Sequence, residues 1–262
     1  MRVLFALATV CSLVTASATA ETYSIPTESG ASLGVSGLNK TKIITSCQGH
    51  PAKHSFAKSG DAMVFTIHHR DVGTCVIDAG KGYTRGRPWA ERTEVQSQKF
   101  AQRKRYLFTA NISMDPRFAS AHETTVFQVH QWDQKRCKCG PYVMVMFDRR
   151  GVLMIKVLKA DHSHHLFYTD VTRADFEGRW TEIAVDIDTS KSNPSAAIYV
   201  AGKQLVDTSL FVQKGGTVFS KFGIYRPGNK YAELPTDRVY AKDMLYRELP
   251  SGAPLAEFGA DK

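Results

Sequence analysis

The chain has 262 residues, a hydrophobic fraction of 43% and a formal net charge of +9, from 34 basic and 25 acidic side chains. This length suits one large β domain. No stretch beyond residues 1–20 is long and apolar enough to cross a bilayer, which excludes a helical membrane protein.

The N-terminal segment, residues 1–20, has the pattern of a secretory signal. Arg2 gives a short basic start, residues 3–14 are mostly apolar, and Ala18-Thr19-Ala20 is a small-residue cleavage pattern. We therefore expect a secreted, extracellular protein that forms one domain over residues 21–262. Its net charge after cleavage is about +8, because one positive charge leaves with the signal.

The positive balance favours an anionic partner. Nucleic acid, acidic polysaccharide and a membrane surface are all anionic, but the basic residues are scattered and no zinc-finger, helix-turn-helix or RNA-binding signature is present. Because export favours a polysaccharide, we predict an acidic polysaccharide substrate, no nucleic acid, no membrane partner and a monomer. Simple solubility is the alternative explanation of the charge.

Four cysteines remain in the mature chain: Cys47, Cys75, Cys137 and Cys139. In an oxidising compartment they favour two disulfides, and three pairings are possible. A bond between Cys137 and Cys139 would be strained because one residue separates them. Two arrangements stay open: a Cys47–Cys75 bond alone, or one bond from each of these cysteines to the CxC pair. A zinc site is the competing interpretation. Two sequons would allow a glycoprotein if the source is eukaryotic: Asn39 and Asn111.

Short apolar or alternating segments bounded by turn residues predict strands along most of the chain. In chain order they are 62–68, 89–98, 105–112, 124–132, 142–147, 152–158, 180–187, 196–200, 203–206, 219–225 and 238–247. A histidine-rich loop is expected at 161–165. No convincing helix of more than about two turns and no internal repeat is present, so the pattern favours an all-β sandwich or barrel.

Three of these strands carry polar side chains on one face, because successive side chains of a strand point to opposite faces. The polar sets are Arg92 and Glu94, then Gln128 and His130, then Lys221, Gly223 and Tyr225. Apolar residues oppose the second and third sets: Phe127 and Val129, and Phe222 and Ile224. Such strands, far apart in sequence, predict one sheet that lines one groove.

An acidic sugar polymer would suit this groove chemically. The proton beside a uronate carboxylate can be removed if the carboxylate is neutralised and the enolate-like charge is held. Arg92 and Gln128 offer donors for that carboxylate. His130 suits the base, since its ordinary pKa is near neutrality. Tyr225 can donate a proton to the leaving oxygen or act as base, and Glu94 would orient the guanidinium of Arg92.

The three motifs resemble those of the jelly-roll polysaccharide lyases that act on polyuronates, a group of alginate lyases, glucuronan lyases and the heparin lyase I type. That group has an Arg-x-Glu strand, a Gln-x-His strand and a Lys-x-Gly-x-Tyr strand in the same order. The segment from Trp180 to Lys203 also resembles the group's Trp-led strand and Gly-Lys hairpin, and the resemblance covers roughly residues 60–247. It implies a single-domain β-jelly roll (a concanavalin A-like sandwich) with a concave groove, and cleavage by β-elimination that leaves unsaturated uronate ends.

By this resemblance Arg92 and Gln128 neutralise the carboxylate, His130 is the base or a neutraliser, and Tyr225 is the acid or both acid and base. Further residues are expected to bind substrate: Lys221, Glu94, Arg226, Tyr231, Trp132 and Lys138. The run after Tyr225 departs from the alginate lyases, which usually have a polar residue two places beyond this Tyr, and is nearer the glucuronan and heparin types. The substrate is therefore open between glucuronan and alginate.

Two other functions are weighed against the lyase. A non-catalytic, lectin-like module would need the groove and aromatic side chains but no base or acid. A glycoside hydrolase needs two carboxylates about 5–10 Å apart, and the spacing of Glu182, Asp186 and Asp188 does not match the usual motif. No cofactor and no metal site is predicted, because the histidines at 162, 164 and 165 are typical of a solvated loop.

Overall fold

The computed structural model describes residues 21–22, 42–44, 56–69, 90–97, 99–116, 123–132, 140–159, 161–212, 216–228 and 234–251. The predicted signal and the four cysteines of the mature chain lie outside these residues, so cleavage and disulfide formation stay predictions. The sequon at Asn39 and the predicted substrate-binding residues Lys138 and Tyr231 also lie outside them.

The described part of the chain consists almost entirely of β-strands. In chain order they are Glu21–Thr22 (β1), Lys42–Ile44 (β2), Phe56–Ser59 (β3), Ala62–Ile67 (β4), Ala90–Gln96 (β5), Phe100–Ala101 (β6), Arg105–Met114 (β7), Thr124–Trp132 (β8), Pro141–Phe147 (β9), Val152–Leu158 (β10), His164–Thr172 (β11), Thr181–Asp188 (β12), Ser195–Val200 (β13), Lys203–Ser209 (β14), Thr217–Pro227 (β15) and Asp237–Leu249 (β16). A short 3-10 helix spans Arg173–Asp175. Within these residues, no helix is long and apolar enough to cross a membrane.

The strands form two sheets of eight strands each. The first has the order β1-β3-β4-β16-β7-β12-β13-β14. The second has the order β11-β10-β9-β8-β15-β5-β2, and β6 also pairs with β15. Neighbouring strands run antiparallel, as between β15 and both β5 and β8. This arrangement confirms the predicted all-β sandwich.

The two sheets enclose one large apolar core. Phe65 and Phe108 come from the first sheet and Phe127 and Phe222 from the second, and each is at most 1% exposed. The rings of Phe127 and Phe222 meet edge to face, with centroids 4.4 Å apart. Full burial of each such side chain contributes about 1.5–3 kcal/mol. This core fixes which face of β5, β8 and β15 points inward.

The long edge strand β11 of the second sheet was not predicted. The sequence indicated a loop at 161–165, whereas β11 begins at His164 and pairs along β10. Phe167 packs against the core, but Leu166 and Tyr168 on the opposite face are also apolar and are exposed. The three consecutive apolar residues 166–168 hide the alternation that would reveal an edge strand.

Gly223 shapes β15 where the strand passes between β5 and β8. One extra residue of β15 lies between its pairs Phe222–Phe127 and Tyr225–Thr125 with β8, which makes a β-bulge. Gly223 has a φ of +136°, and an added Cβ would lie 2.3 Å from the carbonyl oxygen of Thr93. Only glycine fits this position.

Candidate active site

The predicted polar strands β5, β15 and β8 are neighbours in the second sheet. Their paired positions are Tyr225 with Arg92, Gly223 with Glu94, Lys221 with Gln128 and Phe219 with His130. Paired residues of antiparallel strands point to the same face. The predicted convergence of these side chains on one face is therefore confirmed, and this face is the outer one because Phe222, Ile224 and Val95 point into the core. A concave shape of this face stays a prediction.

A hydrogen-bond relay joins β5 to β8 across this face. The Gln128 amide nitrogen donates to Oε1 of Glu94 at 2.5 Å, and Oε1 of Gln128 lies 2.9 Å from Nε2 of His130. Glu94 and Gln128 are 1% and 2% exposed, so water competes little for either group. The relay crosses β15 at the position of Gly223, which has no side chain to block it. The Glu94 carboxylate therefore holds the orientation of the Gln128 amide.

This relay determines which ring nitrogen of His130 carries the proton. A carboxylate can only accept hydrogen bonds, so the amide nitrogen of Gln128 must face Glu94 and its oxygen must face His130. That oxygen requires an N–H at Nε2. In the neutral imidazole the lone pair then lies on Nδ1, which is free of the relay and available to accept a proton.

The electrostatic surroundings keep His130 neutral. Its burial, and then the positive charges of Lys221 and Arg92, hold the pKa of His130 well below its usual value. The ring also stacks on Phe219, with centroids 5.2 Å apart and planes inclined by 11°. A neutral imidazole at physiological pH is the form that can act as a base.

Arg92 connects the relay to Tyr225. Its Nε lies 3.4 Å from Oε2 of Glu94, and its guanidinium carbon lies 4.5 Å from the centroid of the Tyr225 ring. The predicted orientation of Arg92 by Glu94 is thus present in the structure. Contacts consequently run without a gap from the imidazole of His130, through Gln128, Glu94 and Arg92, to the phenol of Tyr225.

Lys221 gives the face an excess of positive charge. It is 6% exposed and lies between Gln96 on one neighbouring strand and Gln128 on the other. Arg92 and Lys221 are cationic, Glu94 is anionic and His130 is neutral, so these four side chains together carry a single positive charge. A carboxylate is the complementary ligand.

The assignment of Arg226 to substrate binding disagrees with its position. Arg226 follows Tyr225 in β15 and therefore points to the opposite face, where it is 2% exposed. Its guanidinium contacts Oε2 of Glu91 at 2.7 Å and Oδ2 of Asp237 at 2.5 Å, and it donates to the carbonyl oxygen of Pro235 at 2.7 Å. Arg226 ties the two sheets together beneath the site.

Other predicted site residues are placed only in part. Trp132 ends β8 and pairs with Thr217 of β15, which continues the row of strand pairs beyond His130. The acidic residues considered for a hydrolase are on the first sheet. There Asp186 pairs with Arg105 at 2.6 Å, and Oδ1 of Asp188 accepts a hydrogen bond from Ser190. Among the described residues, no three His, Cys, Asp or Glu side chains form a group that could hold a metal ion.

The outer face also contains residues that the sequence did not single out. Met144, Met146 and Met154 form a small apolar cluster, separate from the main core, against which Tyr225 packs. Methionines in predicted strands are usually core residues, so the sequence alone gave them no special meaning. The register that pairs Met144 with Gln128 and Met146 with Thr125 is what places them beside the site.

A large cavity of about 1150 Å³ lies at one end of the sandwich, away from this cluster. Its lining comes from the segments 101–103, 189–194, 209–212 and 216–217. None of the predicted catalytic side chains is part of it. The cavity is therefore separate from the polar side chains of the outer face.

Several solved structures that share this fold are alginate lyases. Alginate lyase AlyC3 matches with a TM-score of 0.58 at 16% identity, covering 80% of this chain and 90% of that one. An alginate lyase from Pseudomonas aeruginosa matches with a TM-score of 0.57 at 14% identity, covering 79% and 97%. Alginate lyase AlgAT5, from polysaccharide lyase family 7, matches with a TM-score of 0.53 at 14% identity, covering 79% and 94%.

AlyC3 has also been solved in complex with dimannuronate, and that structure matches with the same TM-score of 0.58 at 14% identity. No family model matches the chain, and no curated protein sequence matches it. At these identities the likeness shows the fold alone, and it confirms the predicted β-jelly roll.

Proposed function

We propose that the chain is a secreted polysaccharide lyase that cleaves a uronate-containing polysaccharide, alginate or glucuronan, by β-elimination. The observation that carries this proposal is the relay that leaves Nδ1 of a neutral His130 free, beside a face with a single excess positive charge. A proton acceptor and a carboxylate receptor are thereby placed side by side.

The carboxylate of the sugar to be cleaved would bind between Arg92 and Lys221. Neutralising this carboxylate makes the neighbouring ring proton more acidic, because the negative charge that develops when the proton leaves spreads onto the carboxylate. Gln128 uses one amide N–H on Glu94, so its second N–H can donate to the same carboxylate. These donors are preorganised, which avoids a reorganisation cost during the reaction.

The ring proton beside the carboxylate would pass to Nδ1 of His130. The electron pair of that C–H bond forms a double bond to the adjacent ring carbon, and the bond from that carbon to the glycosidic oxygen breaks with its electron pair. Tyr225 gives its phenolic proton to the leaving oxygen. The products are an unsaturated uronate end and a new hydroxyl end, and no oxidant or reductant is needed.

Alginate is favoured by the solved structures of the same fold, which are alginate lyases, one of them with dimannuronate bound. Glucuronan is favoured by Tyr225-Arg226-Pro227, which departs from the usual alginate lyase sequence. The position of Arg226 weakens the argument for glucuronan, because a side chain buried between the sheets cannot contact the substrate.

A panel of alginate blocks, glucuronan and heparin-type chains tests the proposal. We expect the ultraviolet absorbance of unsaturated uronate to rise with at least one of them, and the substrate that gives the highest kcat/KM identifies the uronate. Binding of a polyuronate without this absorbance would contradict the lyase and support the lectin-like alternative.

A further inference from the structure

The outer face of the second sheet extends well beyond the candidate active site. From β15 the rows of paired residues continue through β8, β9 and β10 to the edge strand β11. One row is Tyr225, Thr125, Met146, Met154 and Tyr168, and the next is Lys221, Gln128, Met144, Lys156 and Leu166. Neighbouring strands are about 4.8 Å apart, so four steps separate Tyr225 from Tyr168 by about 19 Å.

The far end of these rows is exposed and apolar. Tyr168 is 60% exposed and Leu166 is 42% exposed, and they alternate on the same face of β11. Their strand neighbour Phe167 packs against the core on the other face, so Tyr168 is not needed to fill the interior. Among the described residues the other exposed large apolar side chain is Trp180, which lies against Lys242 of the first sheet. Leu166 and Tyr168 therefore form a small exposed apolar patch on the edge strand β11.

A cation lies beside this surface. Lys156 is the β10 partner of Leu166 and is half-buried on the same face. No carboxylate of the described residues pairs with Lys156, although its positive charge contributes to lowering the pKa of His164. The surface thus combines an aromatic ring, an aliphatic side chain and an ammonium group that is available to an anionic ligand.

We propose that Tyr168, Leu166 and Lys156 form a distal sugar-binding platform for the same polyuronate chain that is cleaved at Tyr225. A pyranose ring has an apolar C–H face that packs on an exposed aromatic ring, and a uronate adds a carboxylate for Lys156. This inference rests on the proposed function, and it specifies the ligand as a chain long enough to span about 19 Å.

The platform predicts a length dependence of substrate binding. A long polyuronate contacts both Tyr225 and Tyr168, whereas a trisaccharide bound for cleavage leaves Tyr168 empty. Tyr168→Ala should therefore raise KM for high-molecular-mass alginate about fivefold to tenfold, with kcat unchanged and with trisaccharide kinetics unchanged. Tyr168→Trp, which keeps a stacking ring, should retain wild-type KM.

Trp180→Ala is the matched control, because Trp180 is an exposed aromatic residue just before β12 and lies against Lys242 of the first sheet instead of on these rows. It should leave KM unchanged for both substrates. Unchanged KM for the polymer in Tyr168→Ala, or equal losses for the polymer and the trisaccharide, would overturn the platform.

Affinity electrophoresis in gels containing high-molecular-mass alginate separates this proposal from the proposed function. If the wild-type chain cleaves none of the polyuronates, slower migration of the wild type and of Trp180→Ala, but not of Tyr168→Ala, still supports the platform. Equal migration of all three proteins contradicts it whether or not the chain is a lyase.

Discussion

Nε2 of His130 lies 2.9 Å from Oε1 of Gln128, and this contact sets the protonation pattern of the imidazole. It depends in turn on Glu94, which accepts from the same amide at 2.5 Å. Glu94→Gln replaces an acceptor by a group that can either accept or donate, so the Gln128 amide can turn around. We expect kcat to fall about tenfold to hundredfold, because the wrong tautomer forfeits part of the about 10²- to 10⁴-fold that a positioned general base contributes.

The tautomer itself is measurable without substrate. In the wild type, ¹⁵N chemical shifts of His130 should show the proton on Nε2 and the lone pair on Nδ1, and Glu94→Gln should give a mixture of both tautomers. Glu182→Gln, a half-buried substitution on the first sheet, should change neither the spectrum nor kcat. A wild-type imidazole protonated on Nδ1 would exclude the proposed base.

His130→Ala and Tyr225→Phe test the two proton-transfer groups separately. General acid–base catalysis contributes about 10²- to 10⁴-fold per group, so each substitution should lower kcat by that order. Thermal melting should show both variants folded, because neither side chain belongs to the main core. Near wild-type kcat in either folded variant would remove that residue from the chemistry.

The positive charge of Lys221 predicts a shift in the pH profile. The lowered pKa of His130 means that the base form persists well below pH ~6.5, so the acidic limb of kcat/KM should lie below that value. Lys221→Met removes a charge that disfavours the imidazolium, so the pKa of His130 should rise and the limb should move to higher pH. An NMR titration of the His130 ring follows the same shift without substrate.

Lys203→Met is the control for this shift. Lys203 is exposed and pairs with Asp170 at 2.8 Å, outside the site, so its removal should leave the limb in place. An acidic limb that does not move in Lys221→Met, together with an unchanged NMR titration, would contradict the electrostatic account of His130.

The same pKa predicts how stability depends on pH. The folded pKa of His130 is below its unfolded value of about 6.5, so at lower pH the unfolded chain binds more protons than the folded chain. The contribution of His130 is therefore fully present above pH ~6.5 and is lost as the pH falls below it. In the folded His130→Ala variant the free energy of unfolding should decline less steeply between neutral and acidic pH, as measured by urea unfolding.

Strand periodicity was enough to place the polar sets on one face, because that face follows from the alternation of Phe127 and Val129 with Gln128 and His130. The order of β5, β15 and β8 in the sheet does not follow from alternation, since it depends on long-range pairing. The polar faces of three distant strands raised the expectation that they meet in one sheet, and the resemblance of the motifs supported it. The pairing of Gly223 with Glu94, and hence the relay to Gln128, required the structure.

Arg226 shows where sequence reasoning failed. Its neighbour Tyr225 is on the outer face, so strict alternation already puts Arg226 inward, but an arginine in a strand beside a predicted site suggests an anionic ligand. The carboxylates that satisfy it, Glu91 and Asp237, are 135 and 11 residues away in the chain. No local sequence pattern joins these carboxylates to Arg226. Tyr168 was missed for a different reason: it is an exposed apolar residue on an unpredicted strand, and such a residue has no periodic signal.

Arg226→Met should destabilise the fold without acting on the substrate. It removes the buried cation that contacts Glu91 and Asp237, which are 0% and 1% exposed, and breaking a buried pair by removing one partner costs about 3–5 kcal/mol. Urea unfolding should show this loss, while Arg150→Met, in an exposed turn where Arg150 pairs with Asp148, should change stability by at most about 1 kcal/mol. If Arg226 instead bound substrate, Arg226→Met would raise KM with little change in the free energy of unfolding. Since Arg226 and Tyr225 are adjacent in β15, kcat and KM of the folded fraction, measured at low temperature, distinguish the two roles.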